Sequence, residues 1–378
     1  MMRSIVYFLL FSVLLFRGSL CFLYADGNSE ASPPASEQTS ENPVHGLKEA
    51  ESEAEAKEVK MNPGKLIMDH ISDSHEWHFF DLNRSDGSEF HGRIFLPVIL
   101  FIPGEGLSVF SFKKLHHSSY KGFSRDADDH IIRTDGKKFY DFSLTKNVIQ
   151  MLIAVLLMLL IFMSVARNYN KYGTKAPKGI NSAVEVIVIF IRDQVAKPLL
   201  GANANKYLPY LLTLFFFIWI NNLLGLIPGS ANVTGNIAVT MTLAAFTFIL
   251  MMAGSRRHYW SHMIAPQGIP YAVWPILVPI EFISNIIVKP VALMIRLFAN
   301  MLAGHLIVLS FLMLIFIFSA MNLIAGIGAS IFSVAFAMFI YLLELLVAVL
   351  QAYIFTILSA LFISETVGVS HAHKEDHH

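Results

Sequence analysis

Only one of the 378 residues is a cysteine, Cys21, so the chain holds no internal disulfide and no cysteine-based zinc or iron–sulfur site. Charge is scarce as well. Asp, Glu, Lys and Arg make up 15% of the residues, 28 basic against 28 acidic, and the formal net charge is zero. Such a balance leaves no basic surface for nucleic acid, which is excluded as a partner. A related pair of halves, the mark of many transporters, is also missing. What is present is apolar sequence. With 54% hydrophobic residues gathered in long runs, the composition is that of a polytopic membrane protein rather than a soluble enzyme.

The first 146 residues have a different character from the rest. Residues 1–25 read as a secretory signal, cleaved or retained as an anchor: Arg3 precedes a short apolar core from Ile5 to Phe16. Residues 26–60 carry nine acidic and three basic side chains among many Ser, Pro and Ala, too polar to bury a core, and are expected to be disordered. From 61 to 146 aromatic and aliphatic residues return in short runs. Asp86-Gly87, Pro103-Gly104 and Asp135-Gly136 are placed to turn hairpins, which predicts a small extramembrane β-rich module. The run Ile94–Phe101 is too short to span a bilayer. His70, His75, His78, His91, His116, His117 and His130 lie here at spacings that match no common metal site, so neither metal nor cofactor is expected.

The membrane domain is expected over 147–370. A first span covers about Val148–Ala166, and the cationic loop after it (Arg167, Lys171, Lys175, Lys178, Arg192, Lys197, Lys206) belongs on the cytoplasmic side. Within it, Ile180–Val195 has helical apolar spacing suited to the membrane surface. Spans at about Leu208–Ile227 and Ile237–Ala253 flank the uncharged loop 229–236. Asn221-Asn222 near the end of the former suits either an interhelical hydrogen bond or a family motif. An apolar run from Val273 to Met321 would extend about 70 Å as a helix; Pro275, Pro279 and Pro290 allow a break or kink, and the part after Pro290 still needs a pronounced tilt or an interfacial end. After a predicted turn over 322–330, a last helix runs from Ile331 to Ser364. The tail 371–378 is His-rich and cytoplasmic. The fold class is thus all-α and polytopic, with five transmembrane helices after a signal segment and two long tilted helices at the C-terminal end.

Polar residues inside these apolar helices are the candidate functional groups. An arginine mid-helix, Arg296, costs about 2.5–3.5 kcal/mol or more in the bilayer centre and therefore calls for a partner or water path. Asn300 follows one turn later on the same face, and Asn285 and Lys289 precede it on what an ideal helix makes one stripe. His305 points away from that face. Glu281 lies near the cytoplasmic end of the same run, and the last helix supplies Glu344 and Gln351, seven residues apart on one side. A buried structural pair is one reading of His305 and Glu344; an ion path is the other.

Arg296-Leu297-Phe298-Ala299-Asn300-Met301 followed by Ala303-Gly304-His305 closely resembles the signature of subunit a of the F-type ATP synthase, and Asn221-Asn222-Leu223-Leu224-Gly225-Leu226-Ile227-Pro228 is similar to that family too. The resemblance covers roughly residues 140–370. It implies a non-catalytic, proton-translocating stator subunit in a bacterial inner membrane, with the N-terminus outside and the C-terminus cytoplasmic. Its implied partners are the c-ring subunits, the peripheral-stalk b subunits and the lipid bilayer. In that family the arginine matching Arg296 faces the ring carboxylates and separates two half-channels, the positions of His305 and Glu344 form the relay of one half-channel, and Gln351 lies near the arginine. Some members carry glutamate at the first relay position and histidine at the second; here the types are exchanged. Asn222, Glu281, Asn285 and Lys289 are supporting polar positions. A secondary transporter coupling ion and solute through the same Arg, His and Glu is the competing reading, and a neighbouring gene for a two-helix protein with a mid-membrane carboxylate would separate the two.

Overall fold

The computed structural model describes residues 73–83, 89–117, 119–125, 131–135, 138–172, 179–227, 229–255, 259–260, 270 and 273–367. The expected signal (1–25), the acidic segment (26–60), His70, His130 and the His-rich tail lie outside the described residues.

Among the described residues, seven short strands precede the long helices. β1 (Glu76–Asn83) pairs antiparallel with β2 (Glu89–Phe95). β3 (Pro97–Ile102) is the centre of a three-stranded sheet between β4 (Gly106–Ser111) and β7 (Tyr140–Asp141). β5 (Phe123–Arg125) pairs with β6 (Ile131–Arg133). Pro103-Gly104 does turn the β3–β4 hairpin: Glu105 N–H bonds Ile102 O at 3.1 Å, and Gly104 has φ +92°, which a side chain would resist. Asp86-Gly87 and Gly136, expected at two further turns, lie outside the described residues; β6 pairs back with β5 while β7 pairs with β3. The alternation of β3 sends Val98, Leu100 and Ile102 inward, onto Phe110, Phe112, Phe123, Ile131 and Leu115 of the short helix α1 (Lys113–His117). Phe112 and Phe123 are fully buried, each contributing about 1.5–3 kcal/mol.

The remaining helices are α2 (Lys146–Tyr172), α3 (Ile180–Phe190), α4 (Lys197–Leu200), α5 (Ala204–Gly225), α6 (Ile237–Gly254), α7 (Trp274–Ile283), α8 (Lys289–Met321) and α9 (Leu323–Val367). Among the described residues five helical segments are long and apolar enough to cross a membrane: Lys146–Tyr169, Ile180–Gly225, Ile237–Gly254, Trp274–Met321 and Leu323–Val367. A π-turn at Ile191–Ala196 links α3 to α4, and Gly201, at φ +51°, separates α4 from α5.

Two expectations about the last helices change. No Pro breaks the run from Trp274 to Met321; a π-turn at Ser284–Val288 ends just before Pro290, whose missing N–H leaves one carbonyl of the preceding turn unbonded. The wider turn also rotates the upstream register. Asn285 is consequently buried while Arg296 is exposed, so Asn285 leaves the polar stripe expected on an ideal helix, whereas Lys289, Arg296 and Asn300 share the unbroken α8. Secondly, the expected turn over 322–330 is helical. Asn322 alone is extended (φ −162°, ψ 141°), and its side chain caps α9 by accepting from Ile324 N–H at 3.2 Å. Gly326 then packs against Ser319, a methyl at Gly326 lying 2.9 Å from Ser319 Cα, and this close approach lets α8 and α9 run antiparallel from a one-residue break.

Small residues set the packing of α9. Ser333 and Ala337, and further on Ala348, Ala352, Thr356 and Ser359, are buried at three- and four-residue intervals within each group, so neighbouring backbones approach closely where lipid offers no hydrophobic drive. Polar links reinforce them: Tyr210 hydroxyl to Thr247 at 2.8 Å, and Thr247 to Ser359 at 3.3 Å.

Candidate functional site

α5, α8 and α9 bring their polar residues to one region because each carries them on its packed face. On α9, Glu344 is 8% exposed and Gln351 2%. Gln351 Oε1 accepts from Asn300 Nδ2 at 2.9 Å, tying α9 to α8 one turn from Arg296. The Glu344 carboxylate lies against Gly304, the residue before His305; a methyl there would overlap it. On the other side, a methyl at Gly225 of α5 would sit 3.9 Å from His305 Nε2. His305 therefore stands between α5 and the Glu344 region, and two glycines make the room.

Asn222, fully buried, donates from Nδ2 to Ala348 O at 3.2 Å and accepts from Thr234 hydroxyl at 2.7 Å. The interhelical role left open for this asparagine is the one observed; Asn221 bonds within its own helix, to Phe217 O. The Tyr341 hydroxyl donates to Leu226 O, one turn from Glu344.

Arg296 stands apart. It is exposed on α8, with Ile295 and Ala299 exposed beside it, and enters no ion pair among the described residues. Lys289, by contrast, pairs with Glu365 at the end of α9. Glu281 is half-buried on α7. Burial, then the charges of Glu365 and Glu281, push the nearby Tyr259 hydroxyl up, so these groups form a separate cluster at that end of the helices. Of the residues singled out, then, the structure gathers Asn222, Asn300, His305, Glu344 and Gln351; it places Asn285, Lys289 and Glu281 elsewhere. Thr234, Gly225, Gly304 and Tyr341 escaped the sequence reading. Gly304 and Gly225 carried a visible signal, each standing in one of the two quoted motifs; Thr234 and Tyr341 carried none.

No group of three or more His, Cys, Asp and Glu side chains gathers among the described residues. The chemistry on offer is protonic: one fixed cation at a helix surface, one imidazole, one carboxylate and a set of amides and hydroxyls. Gly304→Ala tests the packing. The carboxylate is the mobile end of a side chain, so the helices should still assemble while Glu344 is displaced from beside His305; any proton flux through this pair is expected to fall about tenfold to a hundredfold, measured as proton uptake by vesicles.

Fold and site together define a multi-pass membrane protein with ionisable residues set within long apolar helices. A family model described as ATP synthase A chain matches residues 148–364, more than half of the chain. The chain belongs to that family, subunit a of the F-type ATP synthase. It is 50% identical over 205 residues to ATP synthase subunit a of Chloroherpeton thalassium, covering 53% of this chain and 59% of that one. Over 281 residues it is 40% identical to ATP synthase subunit a 2 of Chlorobaculum tepidum, covering 73% and 66%. With ATP synthase subunit a of Chlorobium phaeobacteroides it shares 47% over 184 residues, 53% of that chain, so the match spans about half to two thirds of these relatives' lengths. Residues 66–150 match a second family model, a domain of unknown function.

Proposed function

We propose that this chain is the proton-translocating stator subunit of the membrane sector of an F-type ATP synthase, non-catalytic in itself, and that it forms two half-channels to and from the carboxylates of a rotating c-ring. The observation that carries this is Arg296: an unpaired guanidinium exposed on an apolar helix of 33 residues, one turn from the Asn300–Gln351 bond. A guanidinium in that position needs an anionic partner, and a carboxylate passing on a neighbouring helix supplies one. Near it the carboxylate is drawn into its ionised form and gives up its proton; away from it, in lipid, it must be protonated. The arginine thereby separates two proton paths. His305 and Glu344, with Asn222 and Gln351 around them, serve one path; Glu281, Lys289 and Glu365 lie at the end suited to the other. The b subunits of the peripheral stalk would hold the chain against rotation. Affinity purification from native membranes tests the assignment: an ATP-hydrolysing complex should come with the chain, and isolation of the chain alone would count against it.

The proposed location is a bacterial inner membrane, with the strands outside and the cationic segment 167–206 in the cytoplasm; the charge-free segments 229–236 and 322–330, set against the cationic 167–206, support this reading. In a Cys21→Ser background, an impermeant thiol reagent added to intact cells is expected to modify Val109→Cys, exposed on β4, and to spare Lys175→Cys. Labelling at 175 with protection at 109 would reverse the orientation.

A further inference from the structure

We infer that the N-terminal strand module is the outer mouth of the proton path, admitting water and protons from its own side to His305 and Glu344. This rests on the proposed proton function and gives a role to the segment that matches a domain of unknown function.

The module meets the membrane helices through polar groups. Asp73 Oδ1 accepts from Asn147 N–H at 3.3 Å, and Lys146 N–H bonds Ser74 O at 3.1 Å, which fixes the segment before β1 to the first turn of α2. His75 stacks on Phe112 (ring centres 5.2 Å apart) and puts Nε2 3.7 Å from Asp141 Oδ2. Glu76 and Arg93 lie 4.0 Å apart beside them. Asp73, His75, Glu76, Arg93, Asp141 and Lys146 thus share one junction in a chain otherwise poor in charge. Burial pushes the Asp73 carboxyl up, only partly offset by Asn147 N–H and the charges of Lys146 and His75. For Asp141 burial acts the same way, but His75 and Ser143 outweigh it and hold the carboxyl below its ordinary value. One carboxylate there is poised to take up protons, and the other is held ionised beside the imidazole.

From the junction a polar line leads inward. Asn147 and Gln150 are 6% and 2% exposed and one turn apart on α2. Gln150 Oε1 accepts from Ala231 N–H at 2.7 Å, yet Gln150 Nε2 and Asn147 Oδ1 are buried with no protein partner among the described residues. Buried amide atoms of this kind are normally satisfied by water, and two of them one turn apart mark a hydrated seam. The loop that Gln150 holds is also held by the module, through Trp77 Nε1 donating to Gly229 O at 2.6 Å. That loop in turn reaches the site. A methyl at Gly225 would lie 3.6 Å from Ala231 O and 3.9 Å from His305 Nε2, so the two border the same glycine. Asn232 Nδ2 donates to Met301 O at 3.4 Å, one turn before His305, and Thr234 bonds Asn222. A module that merely packed on the membrane would meet it with apolar side chains; this one meets it with six ionisable groups and two unsatisfied amides. Each transfer along the line moves one proton between water and a side chain and requires no other reactant.

The test uses the whole complex in membrane vesicles, with Cys21→Ser as parent and Asn147→Cys, Gln150→Cys and Leu211→Cys built on it. Silver ions reach thiols only through water. Added from the module's side, they are expected to cut passive proton flux about tenfold or more in the 147 and 150 variants while leaving the parent and the dry-core 211 variant unaffected. Gln150→Leu should slow flux, and Gln150→Glu, which keeps the acceptor for Ala231 N–H, should preserve it; silver sensitivity at 147 and 150 separates this from a purely structural role. If the 147 and 150 variants are insensitive while Asn232→Cys is blocked, water arrives by another route and the inference is overturned. If the parent shows no Arg296-dependent flux at all, the proton reading beneath it falls, and this inference with it.

Discussion

Arg296→Ala is expected to abolish ATP-driven proton pumping while the complex remains assembled. The residue enters no ion pair among the described residues and lies on an exposed face, so its removal opens no cavity and orphans no buried carboxylate. If anything, loss of a charge costing about 2.5–3.5 kcal/mol or more in the bilayer favours the chain's own insertion. The penalty falls entirely on function, because a ring carboxylate then has nothing to draw it into its ionised form between the two paths. Arg296→Lys should fail as well: an ammonium is more strongly hydrated and loses its proton readily when buried, whereas guanidinium remains charged. Quenching of a pH-sensitive dye by inside-out vesicles reads the result, with complex content measured in parallel. Normal pumping by assembled mutant complexes would show that the arginine has another task.

His305 and Glu344 are expected to act as one unit. Glu344 abuts the glycine preceding His305, and both lie on the packed faces of antiparallel helices. His305→Ala and Glu344→Ala should each slow proton flux about a hundredfold or more, the lower range of what a positioned acid–base group contributes. The double variant should be little worse than either, since removing one member already breaks the relay. His305→Glu combined with Glu344→His should restore part of the flux, because one carboxylate and one imidazole are again side by side. Multiplicative losses with no recovery in the exchanged pair would place the two residues on separate paths.

The sequence made much of this visible, for identifiable reasons. Long apolar runs announce their helices, and Arg296, His305 and Glu344 stand out because ionisable groups in such runs are rare. Asn300 and Gln351 lie 51 residues apart, and their bond could not be read from periodicity; it depends on how α8 and α9 cross. Asn285 left the stripe expected with Arg296 because 3.6-residue spacing holds only within an unbroken α-helix, and Asn285 lies in the π-turn at Ser284–Val288; Lys289 and Arg296 share the unbroken α8. The late start expected for α9 failed for a related reason. Gly326 and Gly328 resemble turn residues, yet here glycine serves close packing against Ser319. The junction of the module with α2 was invisible in advance, since it joins residues 73–77 to 141–150 and 229–231 through side-chain geometry alone.

Crosslinking from the exposed face of α8 tests the central claim most directly. Ile295, half-exposed beside Arg296, and Ala299 one turn on define the surface that should face the ring. In the Cys21→Ser background, a short photoactivatable thiol reagent on Ile295→Cys or Ala299→Cys in native membranes is expected to capture a small two-helix protein bearing a mid-membrane carboxylate. The captured subunit should change from copy to copy as the ring turns, so crosslinking should also stop ATP hydrolysis. Capture of lipid alone from both positions, with hydrolysis unaffected, would contradict the account.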